Sequence, residues 1–308
     1  MSSHLLEGLP TSSQLLLCFA AHQEIVPVQI AARPPLSEDP VQAVKALQER
    51  GLVAPTDMAM IFQLTPMGYA LVDEVKARWP RLHADLRGRL LALLEQAFEL
   101  TADSPLRAAL HAVDRAHFVP EPLRCLADLD RPVPTGINDM TTSAPHAILS
   151  ILRAVSPKPG EKVLVCGAKG GMTIALSAHM VGEQGAVLGL DWNAETVVHV
   201  RQALSRYPAL TQRARVDQQD DVTVGLPDEG PFDIVIVNGS IPKIPRPLLD
   251  QLRPESGRLL AFLQVPAETG QACYIFRGDG VAGRDELLSR FVFTPIYGRY
   301  GWDRIDEA

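Results

Sequence analysis

One stretch of the chain decides its fold: residues 162–176 read KVLVCGAKGGMTIAL. Its first five residues are mostly apolar and lie between a proline-rich and a glycine-rich segment, which predicts a short buried strand. The apolar residues beyond the loop predict a helix over residues 173–181. A glycine-rich turn that runs straight into a helix lets a ligand approach the backbone and offers it N–H groups. The stretch therefore predicts a strand, a ligand-binding loop and a helix.

The same alternation continues toward the C-terminus. Strands are predicted over residues 186–190, 232–237 and 258–264, and helices over residues 194–204 and 247–252. Nearly continuous apolar strands that alternate with helices indicate a mostly parallel sheet covered by helices on both faces. We therefore expect an α/β domain with a doubly wound sheet, whose ligands bind at the carboxyl ends of the strands.

Two aspartates follow the glycine loop in the order that a nucleoside site requires. Asp191 ends the second predicted strand, about 20 residues after the loop, where a carboxylate accepts hydrogen bonds from ribose hydroxyls. Asp221, in QQDD at residues 218–221, precedes the next predicted strand, where an adenine amino group would lie. Each aspartate alone is equally compatible with a helix cap or a turn. Together with the loop residues Gly167, Lys169 and Gly171, they predict a nucleoside site.

The N-terminal part shows a different order of elements. Helices are predicted over residues 11–22, 28–32 and 37–50, short strands over 52–54 and 60–64, and a helix from Thr65 to Lys76 with further helix to about residue 100. Three helices, a two-stranded wing and a helix form a winged helix, and ALQERGLV (46–53) with LTPMG (64–68) resembles bacterial winged-helix regulators. We expect a smaller winged-helix-like domain over residues 1–80, a helical linker over 81–105 and the α/β domain over 106–308.

Charge limits what the N-terminal domain binds. Its predicted recognition helix carries Glu38, Asp39 and Glu49 against Lys45 and Arg50, and residues 1–90 hold eight basic and nine acidic side chains. DNA readers need basic and amide side chains for phosphates and base edges. We therefore favour a protein partner or a homodimer through this domain, and DNA binding stays open as the weaker alternative.

Composition excludes several classes of protein. The 308 residues are 46% hydrophobic and 21% charged with a net charge of −7, which is typical of a globular chain with room for two domains. No apolar run is long enough for a membrane span. The N-terminal residues lack the basic region and the cleavage site of a secretory signal, so we expect a cytoplasmic protein without membrane contact. Four scattered cysteines without a C-x-x-C pair indicate neither a metal site nor a disulfide framework.

Several phrases resemble the protein-L-isoaspartate O-methyltransferase family, over about residues 106–302. These are DRAHFVP (114–120), TTSAPH (141–146), PKPGEKVL (157–164) and PFDIVIV (231–237). TTSAPH is similar to the threonine-isoleucine-serine-x-proline motif of the family and is the most specific of them. The resemblance implies a Rossmann-like methyltransferase that uses S-adenosyl-L-methionine to methylate carboxylates of protein or peptide substrates in protein repair.

The resemblance also implies roles for individual residues. Ser143, with Thr141 in the same motif, is the catalytic position that orients the attacked carboxylate. Asp191 and Asp221 hold the cofactor. The loop with Gly167, Lys169 and Gly171 supports its methionine end through backbone N–H groups.

Two departures from the family pattern lie at the predicted cofactor site. Val165 stands where the family has an acidic residue, and Lys169 replaces the second glycine of the loop. A lost charge-assisted hydrogen bond is worth about 1.5–3 kcal/mol, so we expect S-adenosyl-L-methionine to bind about tenfold to a thousandfold more weakly. One hypothesis is a methyltransferase with impaired or diverted activity. The alternative is a catalytically inactive regulator or scaffold that acts through its winged helix. The sequence disfavours a third class, a dinucleotide oxidoreductase, because the serine motif has no role there.

Overall fold

The computed structural model describes residues 5–23, 25–27, 40–57, 61–137, 140–264, 271–277, 282–285 and 292–303. The chain forms two compact units, Met1–Leu100 with Val119–Val133, and Thr101–Phe118 with Pro134–Ala308. The predicted helix over residues 28–32 and the predicted helix start at residues 37–39 lie outside the described residues. The domain boundaries predicted from the sequence, at residues 80 and 106, remain predictions.

The first unit contains helices and a small antiparallel sheet. Its elements in chain order are α1 (Thr11–Gln23), β1 (Ile25–Pro27), α2 (Pro40–Glu49), β2 (Val53–Pro55), β3 (Ile61–Leu64) and α3 (Pro66–Ala97). The strands pair in the order β1-β3-β2. The predicted first helix and both predicted short strands of this region are thus present, to within a few residues.

Helix α3 is longer than expected, so the prediction of a helix that ends at Lys76 is wrong. Thr65 caps its start by accepting a hydrogen bond from the Gly68 N–H at 3.1 Å. The helix continues through Pro80, although proline removes one helical hydrogen bond. An apolar stripe stays buried on both sides of the proline, formed by Leu71, Val75, Trp79, Leu86, Leu90 and Leu94. Burial of this stripe explains why one helix persists.

The second unit alternates strands and helices. Its elements are α4 (Pro105–Ala112), β4 (Val133–Pro134), β5 (Thr141–Thr142), α5 (Pro145–Val155), β6 (Lys162–Cys166), α6 (Met172–Val181), β7 (Ala186–Asp191), α7 (Ala194–Leu204), α8 (Pro208–Thr211), β8 (Ala214–Gln218), β9 (Ile234–Ile241), α9 (Arg246–Asp250), β10 (Arg258–Gln264), β11 (Gln271–Arg277) and β12 (Ala282–Asp285). β4 begins at Val133, which is the last residue of the first unit.

The main sheet has the order β12-β11-β10-β9-β6-β7-β8. Strands β6 to β10 pair in parallel, and β11 and β12 add antiparallel pairs at one edge. The mostly parallel α/β sheet predicted from the sequence is therefore confirmed. From β6 the chain proceeds to β7 on one side, whereas β9 pairs with β6 on the other. The strand order thus reverses beside β6, and ligands of such sheets bind in the crevice at this point.

Strand β9 extends past its predicted end at Val237. Asn238-Gly239 is a typical turn pair, but here it lies within the strand. Ser240 and Ile241 pair with Phe262 and Leu263 of β10, after a local shift in register. This long-range pairing outweighs the local turn preference. Strands β8, β11 and β12 and the short helix α8 were not predicted.

The described residues contain no helix that is long and apolar enough to cross a membrane. In this same part of the chain, no group of three or more His, Cys, Asp or Glu side chains is arranged to hold a metal ion. All four cysteines lie in the described part of the chain, are buried and form no disulfide bond.

Candidate functional site

The loop between β6 and α6 is tightly folded. Its backbone has positive φ at Gly167 (94°), Lys169 (49°) and Gly171 (84°). Glycine adopts such angles without cost, whereas a lysine there is held at a cost of about 1–2 kcal/mol. The N–H groups of Gly167 and Ala168 both donate to the Leu190 carbonyl oxygen, at 2.8 and 2.9 Å. The end of β7 therefore holds the loop in place.

Asp191 lies beside this loop at the carboxyl end of β7 and is only 2% exposed. Its Oδ2 accepts the Lys169 N–H at 3.2 Å, and its Oδ1 accepts the Asn193 N–H at 3.1 Å. Burial raises the pKa of this carboxyl, and hydrogen bonds from the backbone N–H groups of Asn193, Lys169 and Ala168 oppose the rise. Each oxygen retains acceptor capacity. The arrangement can accept the two hydroxyls of a ribose.

Asp221 acts as a cap in this structure. Its Oδ1 accepts hydrogen bonds from the N–H of Thr223 at 3.0 Å and from the Thr223 hydroxyl. Its Oδ2 accepts the Arg299 N–H at 2.9 Å. Gly298 packs so closely that any side chain there would collide with the Asp221 carboxylate. Asp221 therefore orders two segments of the chain.

A cavity of about 530 Å³ is lined by the chain neighbours of both aspartates. Trp192, which follows Asp191, and Asp220, which precedes Asp221, line it together with Gly298, Arg299, Trp302 and Asp303. Trp302 is anchored because its Nε1 donates to the Ser240 carbonyl oxygen at 3.1 Å. The cavity has the polar rim and aromatic walls that suit a nucleobase.

The predicted serine motif packs on the glycine loop. A Cβ at Gly170 would lie 2.5 Å from the Cβ of Thr142, so only glycine allows this approach. Buried Arg115 donates to the Ser143 carbonyl oxygen at 3.2 Å and holds the motif from behind. The N-cap of α5 is Ala144, so Ser143 does not cap this helix. No described residue pairs with the Ser143 hydroxyl, which leaves it available to a substrate.

The two departures from the family pattern are both buried. Val165 is enclosed in the sheet, between Gly189 of β7 and Ile236 of β9. Lys169 is 8% exposed, and its Nζ lies 5.0 Å from the centroid of the Phe293 ring. Burial lowers the pKa of the Lys169 ammonium to about 8, and the negative charge of Asp191 partly opposes this.

Sequence reasoning missed two residues of this region. Arg115 was visible only as part of the DRAHFVP phrase, and its contact with the serine motif depends on the fold. Asn238 is 2% exposed, and its Nδ2 donates to the Gly167 carbonyl oxygen at 3.0 Å. Asn238 directly follows the predicted strand that ends at Val237, which was the available signal. Because Asn-Gly pairs are typical of turns, the sequence alone predicts a turn residue here.

The structure thus brings most of the predicted residues to one edge of the sheet. Gly167, Lys169, Gly171 and Asp191 meet at the loop, and the segment with Thr141, Thr142 and Ser143 contacts it through Gly170. Asp221 lies at the neighbouring cavity. The N–H groups of Gly167, Lys169 and Gly171 donate to Leu190 O, Asp191 Oδ2 and Ala168 O, so the expectation that these N–H groups hold the methionine end of a cofactor is wrong for this structure. The other functional roles remain predictions.

Solved structures show the same fold. A protein-L-isoaspartate O-methyltransferase structure superposes with a TM-score of 0.60 at 20% identity, over 70% of this chain and 67% of that one. A putative protein-L-isoaspartate O-methyltransferase from Plasmodium falciparum, solved with S-adenosyl-L-homocysteine, gives 0.57 at 22% identity, over 67% and 95%. The second unit has the α/β fold of S-adenosyl-L-methionine-dependent methyltransferases.

Sequence similarity specifies the family. The family model described as protein-L-isoaspartate(D-aspartate) O-methyltransferase matches residues 89–296. Protein-L-isoaspartate O-methyltransferase 1 of Archaeoglobus fulgidus is 33% identical over 68% of this chain and 93% of its own length. The Hyperthermus butylicus enzyme is 34% identical over 71% and 91%. The chain belongs to the protein-L-isoaspartate O-methyltransferase family, as its motifs predicted, and Gly298, Arg299 and Trp302 of the cavity lie beyond the matched residues.

Proposed function

We propose that this chain is a protein carboxyl O-methyltransferase, which transfers a methyl group from S-adenosyl-L-methionine to isoaspartyl carboxylates in damaged proteins. The observation that carries the proposal is the contact of the serine motif with the glycine loop, through Thr142 and Gly170. A carboxylate oriented by Ser143 and a cofactor held at the loop would meet there. The substrate is a protein or peptide, as family membership implies.

The residues present suit the cofactor. Asp191 offers a backbone-anchored carboxylate for the ribose, and the cavity beside Asp221 has aromatic walls for the adenine. The loop with Gly167, Lys169 and Gly171 faces the methionine end. S-adenosyl-L-methionine, when bound, supplies an electrophilic methyl group. The attacking carboxylate is already ionised, so Ser143 and Thr141 need only position it and exclude water, and no strong general base is required.

The test is a methylation assay with S-adenosyl-L-methionine and a peptide that contains one isoaspartyl residue. We expect a methyl ester on this peptide and none on the matched peptide with normal aspartate. Ser143→Ala removes a hydrogen bond to a charged group, worth about 1.5–3 kcal/mol, so kcat should fall roughly tenfold to 150-fold while S-adenosyl-L-homocysteine affinity stays unchanged. Ser205→Ala, on the exposed end of α7, is the matched control. A folded protein that binds the cofactor product but never esterifies the isoaspartyl peptide contradicts the proposal.

That contradicting result is what the second candidate predicts. In a regulator or scaffold that retains the fold, a nucleoside ligand binds but no methyl group is transferred. The observation that favours this candidate is the replacement of a family carboxylate and a family glycine by Val165 and Lys169, which impairs or diverts the cofactor site. The same assay therefore separates the two candidates.

The first unit is, in this proposal, a winged helix that docks a protein partner or a second copy of the chain. Support comes from helices α1 and α2 on the antiparallel sheet β1-β3-β2, with β2 and β3 as the wing. Two basic residues, Lys45 of α2 and Arg50 directly after it, already have partners within the first unit. Arg50 Nη1 donates to the carbonyl oxygens of Leu5 at 2.5 Å and Glu7 at 2.7 Å, and Lys45 lies 3.8 Å from Glu49.

Light scattering and DNA anisotropy at near-physiological salt test this role. We expect a concentration-dependent dimer or a protein complex, and weak DNA binding that falls steeply as salt rises. Tight, sequence-selective DNA binding that is lost in Lys45→Ala would make DNA the partner. Lys45 is a suitable probe because its exposed ion pair adds at most about 0.5 kcal/mol to stability.

A further inference from the structure

Asn238 presents a buried hydrogen-bond acceptor that lacks a donor. Its Nδ2 donates to the Gly167 carbonyl oxygen at 3.0 Å. A carbonyl oxygen only accepts hydrogen bonds, so the orientation of the Asn238 amide is determined. Its Oδ1 is buried, and no residue in the described part of the chain donates to it. A buried acceptor without a donor is costly and is rare in native structures. A ligand that brings a donor to this position would remove the cost.

The position of Asn238 suits a ligand. Cys166 of β6 pairs with Val237 of β9, and Gly167 and Asn238 are the next residues, at the level where β6 ends and β9 continues. The two residues also touch through their backbones, since a Cβ at Gly167 would lie 3.3 Å from the Asn238 carbonyl oxygen. The strand order reverses between β6 and β9, which is where open α/β sheets bind ligands.

Lys169 is a buried cation at the same end of the sheet. Its Nζ lies over the Phe293 ring at 5.0 Å, and the negative charge of Asp191 also acts on it, although no hydrogen bond or ion pair joins the Nζ to a described residue. The residue after Phe293, Thr294, accepts the Ser240 N–H at 2.9 Å, two positions beyond Asn238. A ring face and a carboxylate without a direct ion pair compensate a buried ammonium only in part. An anionic group of a ligand would complete its pairing.

We infer that Asn238 and Lys169 together bind the amino-acid arm of an adenosyl ligand. Asn238 Oδ1 accepts a hydrogen bond from the ammonium group of the arm, and the Lys169 ammonium pairs with its carboxylate. The inference rests on the proposed function, which supplies the adenosyl ligand. It explains how a chain with Val165, which offers no carboxylate to the ligand ammonium, recognises both charges of the arm with other residues.

Calorimetric titration of the full chain tests this with four adenosine ligands that differ only in the arm. They are S-adenosyl-L-homocysteine, its decarboxylated analogue, its deaminated analogue and 5′-methylthioadenosine, which lacks the arm. Lys169→Met should weaken S-adenosyl-L-homocysteine and the deaminated analogue roughly tenfold or more, the effect of losing a charge-assisted contact. It should leave the decarboxylated analogue and 5′-methylthioadenosine unchanged.

Asn238→Ala should weaken only the ligands that carry the ammonium group, again roughly tenfold. Asn238→Asp, like Asn238→Ala, loses the Nδ2 donor to the Gly167 carbonyl oxygen, but it retains an acceptor oxygen. Preserved binding of the ammonium ligands in Asn238→Asp therefore distinguishes the acceptor contact from the loop contact. Lys162→Met is the matched control. Lys162 also lies over a phenylalanine ring, with its Nζ 5.2 Å from the Phe232 centroid, but it begins β6 at the opposite end of the strand. No ligand should respond to its replacement.

The outcomes distinguish a failure of this inference from a failure of the proposed function. Equal weakening of all four ligands by Lys169→Met or Asn238→Ala, or no weakening of any, contradicts the assignment of the arm. Equal weakening of all four ligands by Asn238→Asp traces the effect to the lost Nδ2 contact with Gly167 and contradicts it as well. A folded parent protein that binds none of the four ligands contradicts the proposed function itself.

Discussion

The candidate site has two ends that are built on opposite principles. At the ribose end, backbone N–H groups of Lys169 and Asn193 hold the buried Asp191 carboxylate. At the arm end, Asn238 Oδ1 has no donor among the described residues, and the Lys169 ammonium lies over the Phe293 ring. The ribose end retains the acidic residue of the family, whereas the arm end has lost the family carboxylate and gained a cation. The comparison teaches that backbone anchoring preserves one end, while side chains at the other can be exchanged without change of fold.

Lys169 belongs to both ends, and its titration gives the largest expected effect. The folded protein lowers its pKa from 10.5 to about 8, chiefly through burial. Below pH 8 the ammonium is charged in both states, and burial imposes its full cost. Between pH 8 and 10.5 the unfolded chain binds more protons, so this cost disappears and stability rises by up to about 3 kcal/mol.

Lys169→Met never carries this cost, so at pH 7 its thermal unfolding midpoint should exceed that of the parent. The gap should narrow as pH rises from 8 toward 10.5 and should be constant below pH 8. Both proteins are compared at each pH, which cancels the titration of other groups. A gap that does not change with pH would show that the Lys169 ammonium is solvated.

Asp191→Ala tests the ribose end. Removing hydrogen bonds to a charged acceptor should weaken S-adenosyl-L-homocysteine by about 1–3 kcal/mol, or roughly 5- to 150-fold. Asp217→Ala is the matched control, because Asp217 lies on β8 and pairs with Arg201 and Arg215 at the surface. Unchanged affinity in Asp191→Ala, measured by calorimetry, would remove Asp191 from the site.

Conversion of the arm end to the family pattern should have an intermediate effect. Val165→Asp together with Lys169→Gly adds a carboxylate and removes a cation near the sulfonium. We expect S-adenosyl-L-methionine to gain roughly tenfold in affinity relative to S-adenosyl-L-homocysteine, about the value of one charge-assisted contact. A double variant that folds normally and shows the parental ratio of affinities would mean that neither residue senses the sulfonium charge.

Asp221→Asn should have the smallest effect. The two carboxylate oxygens already accept hydrogen bonds from Thr223 and from the Arg299 N–H. Little acceptor capacity is left for an adenine amino group, and asparagine retains one acceptor oxygen. Affinity for S-adenosyl-L-homocysteine should fall by about threefold or less. A loss of affinity as large as that in Asp191→Ala would show that the two aspartates contribute equally to ligand binding.

The fold could be predicted wherever periodicity is strong. The bounds of β6, α7 and β10 agree with the sequence pattern because their apolar residues recur at the period of the element. Predictions failed where distant contacts outweigh local preference. Asn238-Gly239 continues a strand because β10 pairs beyond it, and α3 passes through Pro80 because its apolar stripe stays buried on both sides.

By itself, the sequence determined the glycine loop, the order of loop, Asp191 and Asp221, and the family. These depend on residue types at fixed spacings along the chain, which local sterics and hydrophobic periodicity translate directly into structure. Only the tertiary structure decided the burial, the pKa and the hydrogen-bond partners of each side chain. Burial lowers the pKa of Lys169, residue 299 occupies Asp221 from 78 positions away, and Asn238 reaches Gly167 across 71 positions. Desolvation and hydrogen-bond satisfaction depend on neighbours that only the folded chain brings together.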